Sequence, residues 1–173
     1  MTQILILIGI IVVGVGIDQL TKALVVAFMQ VGDSIPLIPG FLHLTFVEND
    51  GMAFGLADDS VGRVIFMVVS TIAIIGIGVY LFRFCKERML LKVGLAMIIS
   101  GGIGNMIDRI FRYNVVDMID FCGIWKYVFN VADAFVCVGA GVVVLALILD
   151  IIKDKKNKKS SPSEENNDGN NSK

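Results

Sequence analysis

The chain has 173 residues, 55% of them hydrophobic and only 18% charged, with a mean hydropathy of +0.78. A soluble domain of this size carries about a quarter charged residues, so the composition excludes an ordinary soluble globule and points to an all-α polytopic membrane protein. The net charge of −1, with no basic stripe among aromatics, argues against nucleic acid as a partner, and Cys85, Cys122 and Cys137, scattered without a CxxC, indicate neither a disulfide framework nor a zinc site.

Four stretches reach the roughly 20 apolar residues that a membrane-crossing helix needs: residues 3–29, 62–83, 89–108 and 132–152. The first has no basic residue ahead of it and runs past any plausible cleavage site into "ALVVAF", so it is expected to be a retained span rather than a signal peptide. Gly9, Gly14, Gly16, Gly76, Gly78, Gly94, Gly139 and Gly141 fall inside these stretches and are expected to let helices approach closely. Between the first two spans, residues 33–60 form a β region. Leu42, Leu44 and Phe46 alternate on one face of "FLHLTFV", "NDG" at 49–51 signals a turn, and "MAFG" at 52–55 is expected to return as a second strand. Residues 1–159 are thus expected to form a single membrane-embedded domain. The polar, low-complexity stretch 160–173 is expected to be a disordered cytoplasmic tail.

Arg83, Lys86, Arg88 and Lys92 lie between the second and third spans, and "KDKKNKK" after the fourth adds five more lysines. Lysine and arginine favour the cytoplasmic side, which puts both termini in the cytoplasm and the 30–61 and 109–131 segments outside. The ionisable residues then converge at one depth. Asp18 and Lys22, i and i+4 on a helix, share a face and can pair. Asp108 and Arg109 close the third span, Asp133 opens the fourth as a possible N-cap, and Asp117 lies in the short connection between them. Charged side chains near lipid are functional candidates by default. Two neighbouring carboxylates cannot both ionise easily, so one keeps a proton and the pair becomes an acid and a base at neutral pH. Spacing alone does not say which pair. Asp120 reads as a solvated loop carboxylate, and His43, the chain's one histidine, as a surface strand residue.

The segments "DQLTK" (18–22), "NDGMAFG" (49–55), "GGIGNMIDR" (101–109), "VVDMIDF" (116–121) and "FNVAD" (129–133) resemble, in order and spacing, the motifs of bacterial lipoprotein signal peptidase, signal peptidase II, over residues 5–152. The resemblance implies four transmembrane helices with a small extracytoplasmic sheet, in the bacterial cytoplasmic membrane. It implies an aspartic endopeptidase, needing no cofactor and no metal, that cuts prolipoproteins before a diacylglyceryl-modified cysteine. Its catalytic pair falls on Asp117 and Asp133. Asp18 and Lys22, Asn49, Gly51, Ala53 and Phe54, Asn105, Asp108 and Arg109, and Asn130 match the supporting motifs. It implies as partners the prolipoprotein substrates, membrane lipids and cyclic peptide inhibitors such as globomycin. Many members carry a proline before the FN pair, where this chain has "WKYVFN". A transporter would show repeats and polar groups at mid-bilayer, an assembly factor has no use for paired aspartates, and a metalloprotease of the HExxH type needs two histidines.

Overall fold

The computed structural model describes residues 2–50, 59–85 and 88–160. Four helices carry most of the chain: α1 (Thr2–Phe28), α2 (Asp59–Val79, prolonged by a π turn over Tyr80–Phe84), α3 (Met89–Phe111) and α4 (Val131–Ser160). No proline interrupts any of them, and all four contain stretches long and apolar enough to cross a membrane. α4 runs on past residue 152 through the "KDKKNKK" segment, because lysines propagate a helix well once it is started.

α3 is the central helix. Half of its most apolar stretch is buried inside the protein, against 6–17% for the other three, so among the described residues α3 is the helix most enclosed by protein. Its contact with α4 is close because Gly94 and Gly139 face each other: a Cβ on either would stand 2.7–2.8 Å from the other's carbonyl oxygen. Gly14 also packs tightly, against Ser100 and Phe135. The packing expectation fails at Gly9, Gly16, Gly76, Gly78 and Gly141, which border open space, since these positions lie on helix faces turned away from the bundle. Leu7, Leu81, Leu91, Leu95, Ala96, Ile99 and Ala146 fill the core at one end of the bundle.

At the other end sits a three-stranded antiparallel sheet, in the order β1 (Ser34–Ile38), β2 (Leu42–Asn49), β3 (Val115–Asp120). Phe46, Val116 and Met118 bury themselves with Val25 of α1, fixing the sheet over that helix end. The expected partner of β2 was "MAFG", which lies outside the described residues; the observed partners are β1 and β3. β3 occupies what the sequence pattern predicts to be a connection: Val115, Val116, Asp117 and Met118 are all buried, so the strand has neither a polar face nor the alternation that would announce it. The register pairs Asn49 with Val115 and Val47 with Asp117, after an irregularity between Leu44 and Val47.

Candidate active site

The site grows from the end of β3. Asp117 and Val115 share one face of that strand, and Asn49 lies directly opposite Val115, which puts it within diagonal reach of Asp117. Its Nδ2 donates to Asp117 Oδ2 at 2.8 Å. After β3 the chain loops and returns so that Phe129 pairs with Ile119. Edge-to-face contacts of Phe121 with Phe41 and Phe129 brace this return. It brings the next residue, Asn130, to Asp117, where its Nδ2 donates to Oδ1 at 2.6 Å. Both oxygens of the buried Asp117 carboxyl are therefore held by side-chain amides.

Asn130 also starts α4. Its Oδ1 accepts from the Asp133 N–H at 2.9 Å, and Asp133 Oδ2 accepts from the Asn130 N–H at 3.2 Å. This reciprocal pair is a capping box, with asparagine as the cap and aspartate three residues on. Asp133 is thus not the N-cap itself; it is the return partner, and its other oxygen accepts from Asn105 Nδ2 at 2.7 Å. Asn105 Oδ1 in turn accepts from Asn130 Nδ2 at 3.0 Å. Amide hydrogen bonds thereby connect the two carboxyls of Asp117 and Asp133 through Asn130 and Asn105.

Beneath them lies a charge cluster. Lys22 Nζ stands 2.9 Å from Asp18 Oδ2, 2.9 Å from Asp108 Oδ2 and 2.9 Å from Asn105 Oδ1. All three ionic side chains are at most 1% exposed. Asp18 Oδ1 accepts from the Ala132 N–H at 2.8 Å, satisfying another orphan donor at the start of α4. Asp108 Oδ2 accepts from the Val116 N–H at 3.2 Å, one residue before Asp117. Gly104 makes room for this: a Cβ there would lie 2.5 Å from Asp18 Oδ2. Arg109, half-buried, donates to the Asn105 carbonyl at 3.3 Å and lies within electrostatic reach of Asp133, Asp117 and Asp108.

Burial pushes the Asp117 pKa up to about 6; the nearby Asp133 charge adds to this, while the Asn49 and Asn130 amides and Lys22 oppose it. Two recesses open at the pair. One of about 380 Å³ runs along α4 and is lined by Asp133, Asn49, Trp125, Val136 and Cys137; the other, about 350 Å³, is lined by Asp117, Asn49, Glu48, Asp50 and Lys126. Tyr127 and Val128 border both.

The structure thus brings together Asp18, Lys22, Asn49, Asn105, Asp108, Arg109, Asp117, Asn130 and Asp133. Gly51, Ala53 and Phe54 lie outside the described residues. Asp120, three residues past Asp117, is on the opposite strand face and accepts from Thr45 Oγ1 at 3.0 Å. His43 stays on β2, 3.2 Å from Ser34 Oγ. Among the described residues, no group of three or more His, Cys, Asp or Glu is placed to hold a metal ion. Gln19 joins the site although its residue type alone suggests no role. Its Nε2 donates to the Gly104 carbonyl at 3.0 Å and lies 3.1 Å and 3.3 Å from Asp18 and Asp108. Its place inside the only polar quintet of α1 was the available signal.

Comparison with known proteins places the chain among relatives. Residues 10–149 match the family model described as signal peptidase (SPase) II. A lipoprotein signal peptidase of Fusobacterium nucleatum is 44% identical, over 81% of this chain and 82% of its own. One from Halalkalibacterium halodurans is 43% identical, over 82% and 91%. Among solved structures, a bacterial membrane enzyme determined in meso superposes with a TM-score of 0.75 at 31% identity, covering 91% of this chain and 94% of its own.

Proposed function

The chain belongs to the signal peptidase II family, and from that premise we propose that it removes signal peptides from prolipoproteins by aspartate-dyad hydrolysis. The bond cut is the one just before the diacylglyceryl-modified cysteine. The observation that supports this reading is the pair of carboxyls, Asp117 and Asp133, connected through Asn105 and Asn130 and facing adjoining recesses.

The pair shares one proton, and the buried Asp117 is its natural holder. Asp133 takes a proton from water as the hydroxide oxygen bonds to the scissile carbonyl carbon, and Asp117 gives its proton to the carbonyl oxygen. On collapse Asp133 passes its proton to the leaving nitrogen, and Asp117 recovers one from the diol as the C–N bond breaks. The dyad returns to its starting state, and the products are a carboxyl and an amine. Arg109 and the three asparagines hold both carboxyls in place. The more apolar recess along α4, with Val136 and the exposed Cys137, takes the lipid-bearing side of the substrate. Globomycin-like cyclic peptides compete for the same space. The positive-inside rule puts both termini in the cytoplasm and this site at the outer leaflet.

The test is cleavage of a purified lipidated prolipoprotein by purified protein in detergent with EDTA present. Wild type and Asp120→Asn should cleave it at similar rates, and unlipidated substrate should be cut far more slowly. Asp117→Asn and Asp133→Asn should be inactive while still folded and still binding a cyclic peptide inhibitor. Turnover near wild type by either dyad variant, or loss of activity in EDTA, overturns the mechanism.

A further inference from the structure

Each aspartate of the dyad follows a residue whose backbone N–H is held by a buried carboxylate. Asp108 Oδ2 accepts from Val116, the residue before Asp117, at 3.2 Å. Asp18 Oδ1 accepts from Ala132, the residue before Asp133, at 2.8 Å. Peptide planes are rigid, so only the two soft dihedrals of Val116 or Ala132 separate each held N–H from the peptide of its aspartate. The gap between the Asp117 and Asp133 carboxyls therefore follows the gap between Asp108 and Asp18.

Two side chains of α1 set that second gap. Lys22 is one, and its three ammonium donors are all engaged, by Asp18 Oδ2, Asp108 Oδ2 and Asn105 Oδ1, each at 2.9 Å. Gln19 is the other. Its Nε2 lies 3.1 Å from Asp18 Oδ2, 3.3 Å from Asp108 Oδ1 and 3.0 Å from the Gly104 carbonyl. All three neighbours are acceptors, so the amide must present its NH2 group and not its oxygen. Arg112 Nε also faces Asp108 Oδ1, but at 3.8 Å, beyond hydrogen-bond range. Gln19 thus ties the two carboxylates to each other and to α3, one residue before Asn105. A neutral amide brings two donors to this place without burying a further ion. Among the described contacts, Gln19 reaches neither dyad carboxyl and lines neither recess. Its effect on the reaction passes through Asp18 and Asp108.

We propose that Gln19 is a positioning residue for the hydrolysis: by holding Asp18 and Asp108 at one separation, it places the Val116 and Ala132 amides and through them sets the spacing of Asp117 and Asp133. This role rests on the dyad mechanism proposed above.

The test is steady-state cleavage of purified lipidated prolipoprotein in detergent, with kcat and KM measured separately and melting temperature recorded for each variant. Gln19→Met keeps the length of the side chain and loses its donors, while every charge stays in place. Its kcat should fall about tenfold or more, since misplacing reacting groups by ~1 Å costs up to about 100-fold. KM, affinity for a globomycin-like cyclic peptide and melting temperature should stay close to wild type, because neither recess nor the ion cluster is altered. Gln19→Glu sets a third carboxyl against Asp18 and Asp108. As pH falls and that carboxyl takes up a proton, it regains a donor, so kcat relative to wild type should rise. Wild-type kcat in folded Gln19→Met overturns the role. So does a loss that follows melting temperature or KM instead of kcat alone. If Gln19→Met does not fold, Gln19→Glu decides: a kcat ratio to wild type that is the same at every pH overturns the role. The two levels of the argument fail differently. A wild-type protein that leaves the substrate uncut defeats the peptidase reading and this role with it, whereas equal kcat for wild type and Gln19→Met defeats the role alone.

Discussion

Asn105 is where two charge systems meet. Its Oδ1 accepts from Lys22, and its Nδ2 donates to Asp133, so the structural cluster and the proposed dyad share one amide. The cluster below should behave as a unit. Lys22→Met would leave Asp18 and Asp108 buried without their cation, and breaking a buried pair in this way costs about 3–5 kcal/mol. A clear fall in melting temperature in detergent, together with lost activity, is expected; an unchanged melting temperature would move Lys22 from structure to chemistry. Above it, Asp117 should set the pH response. Burial raises its pKa to about 6, so in the empty enzyme its proton is lost as pH rises through that value. If Asp117 is the acid, kcat/KM should fall on the alkaline side near pH 6, and kcat should fall at higher pH because bound substrate excludes more water. The Asn49 hydrogen bond favours the ionised carboxylate and lowers this pKa. Asn49→Ala should therefore move the alkaline limb of kcat/KM to higher pH. A limb that falls instead toward acid pH, with Asn49→Ala shifting it, would make Asp117 the base.

The four helices were legible as long apolar runs, the first interrupted by Asp18, Gln19 and Lys22, and the capacity of Asp18 and Lys22 to pair followed from i, i+4 spacing alone. β3 was not legible, because a strand buried on both faces carries no alternation, and its partner β2 lies some 70 residues earlier in the chain. Nor could spacing show that Asn130 rather than Asp133 caps α4. Both residue types are good caps, and the choice rests on where the first helical turn begins. The glycines were legible as a class but not one by one, since only the assembled bundle shows which of them face a neighbour. That difference is measurable. Gly94→Ala would press a methyl against the Gly139 carbonyl and push α3 from α4, so it should lower the melting temperature. Gly141→Ala meets nothing within 4 Å and should be neutral or raise stability by up to about 1 kcal/mol, the intrinsic helical advantage of alanine over glycine. Equal effects at the two positions would show that the close approach of α3 and α4 does not matter to stability.

The whole molecule is polarised along the membrane normal. The amide and carboxylate network lies at the sheet end, where α1 and α3 finish and α4 begins, and the basic residues Arg83, Arg88 and Lys92 lie at the opposite end with the lysine-rich close of α4. The proposed activity depends on that polarity pointing the right way, because the dyad needs substrate delivered from outside. The positive-inside rule fixes the direction only statistically, and Arg109, Arg112 and Lys126 at the sheet end count mildly against it. Arg112 Nε lies 3.8 Å from Asp108 Oδ1, and Arg109 is within electrostatic reach of the same carboxylate. A direct measurement settles the direction. In a variant with Cys85, Cys122 and Cys137 replaced by alanine, a single cysteine is placed at Ile124, exposed in the turn after β3, or at Arg88, exposed before α3. An impermeant maleimide added to intact cells should label the Ile124→Cys protein and spare the Arg88→Cys protein until the membrane is opened. Labelling of Arg88→Cys from outside would invert the molecule and remove the dyad from its substrates.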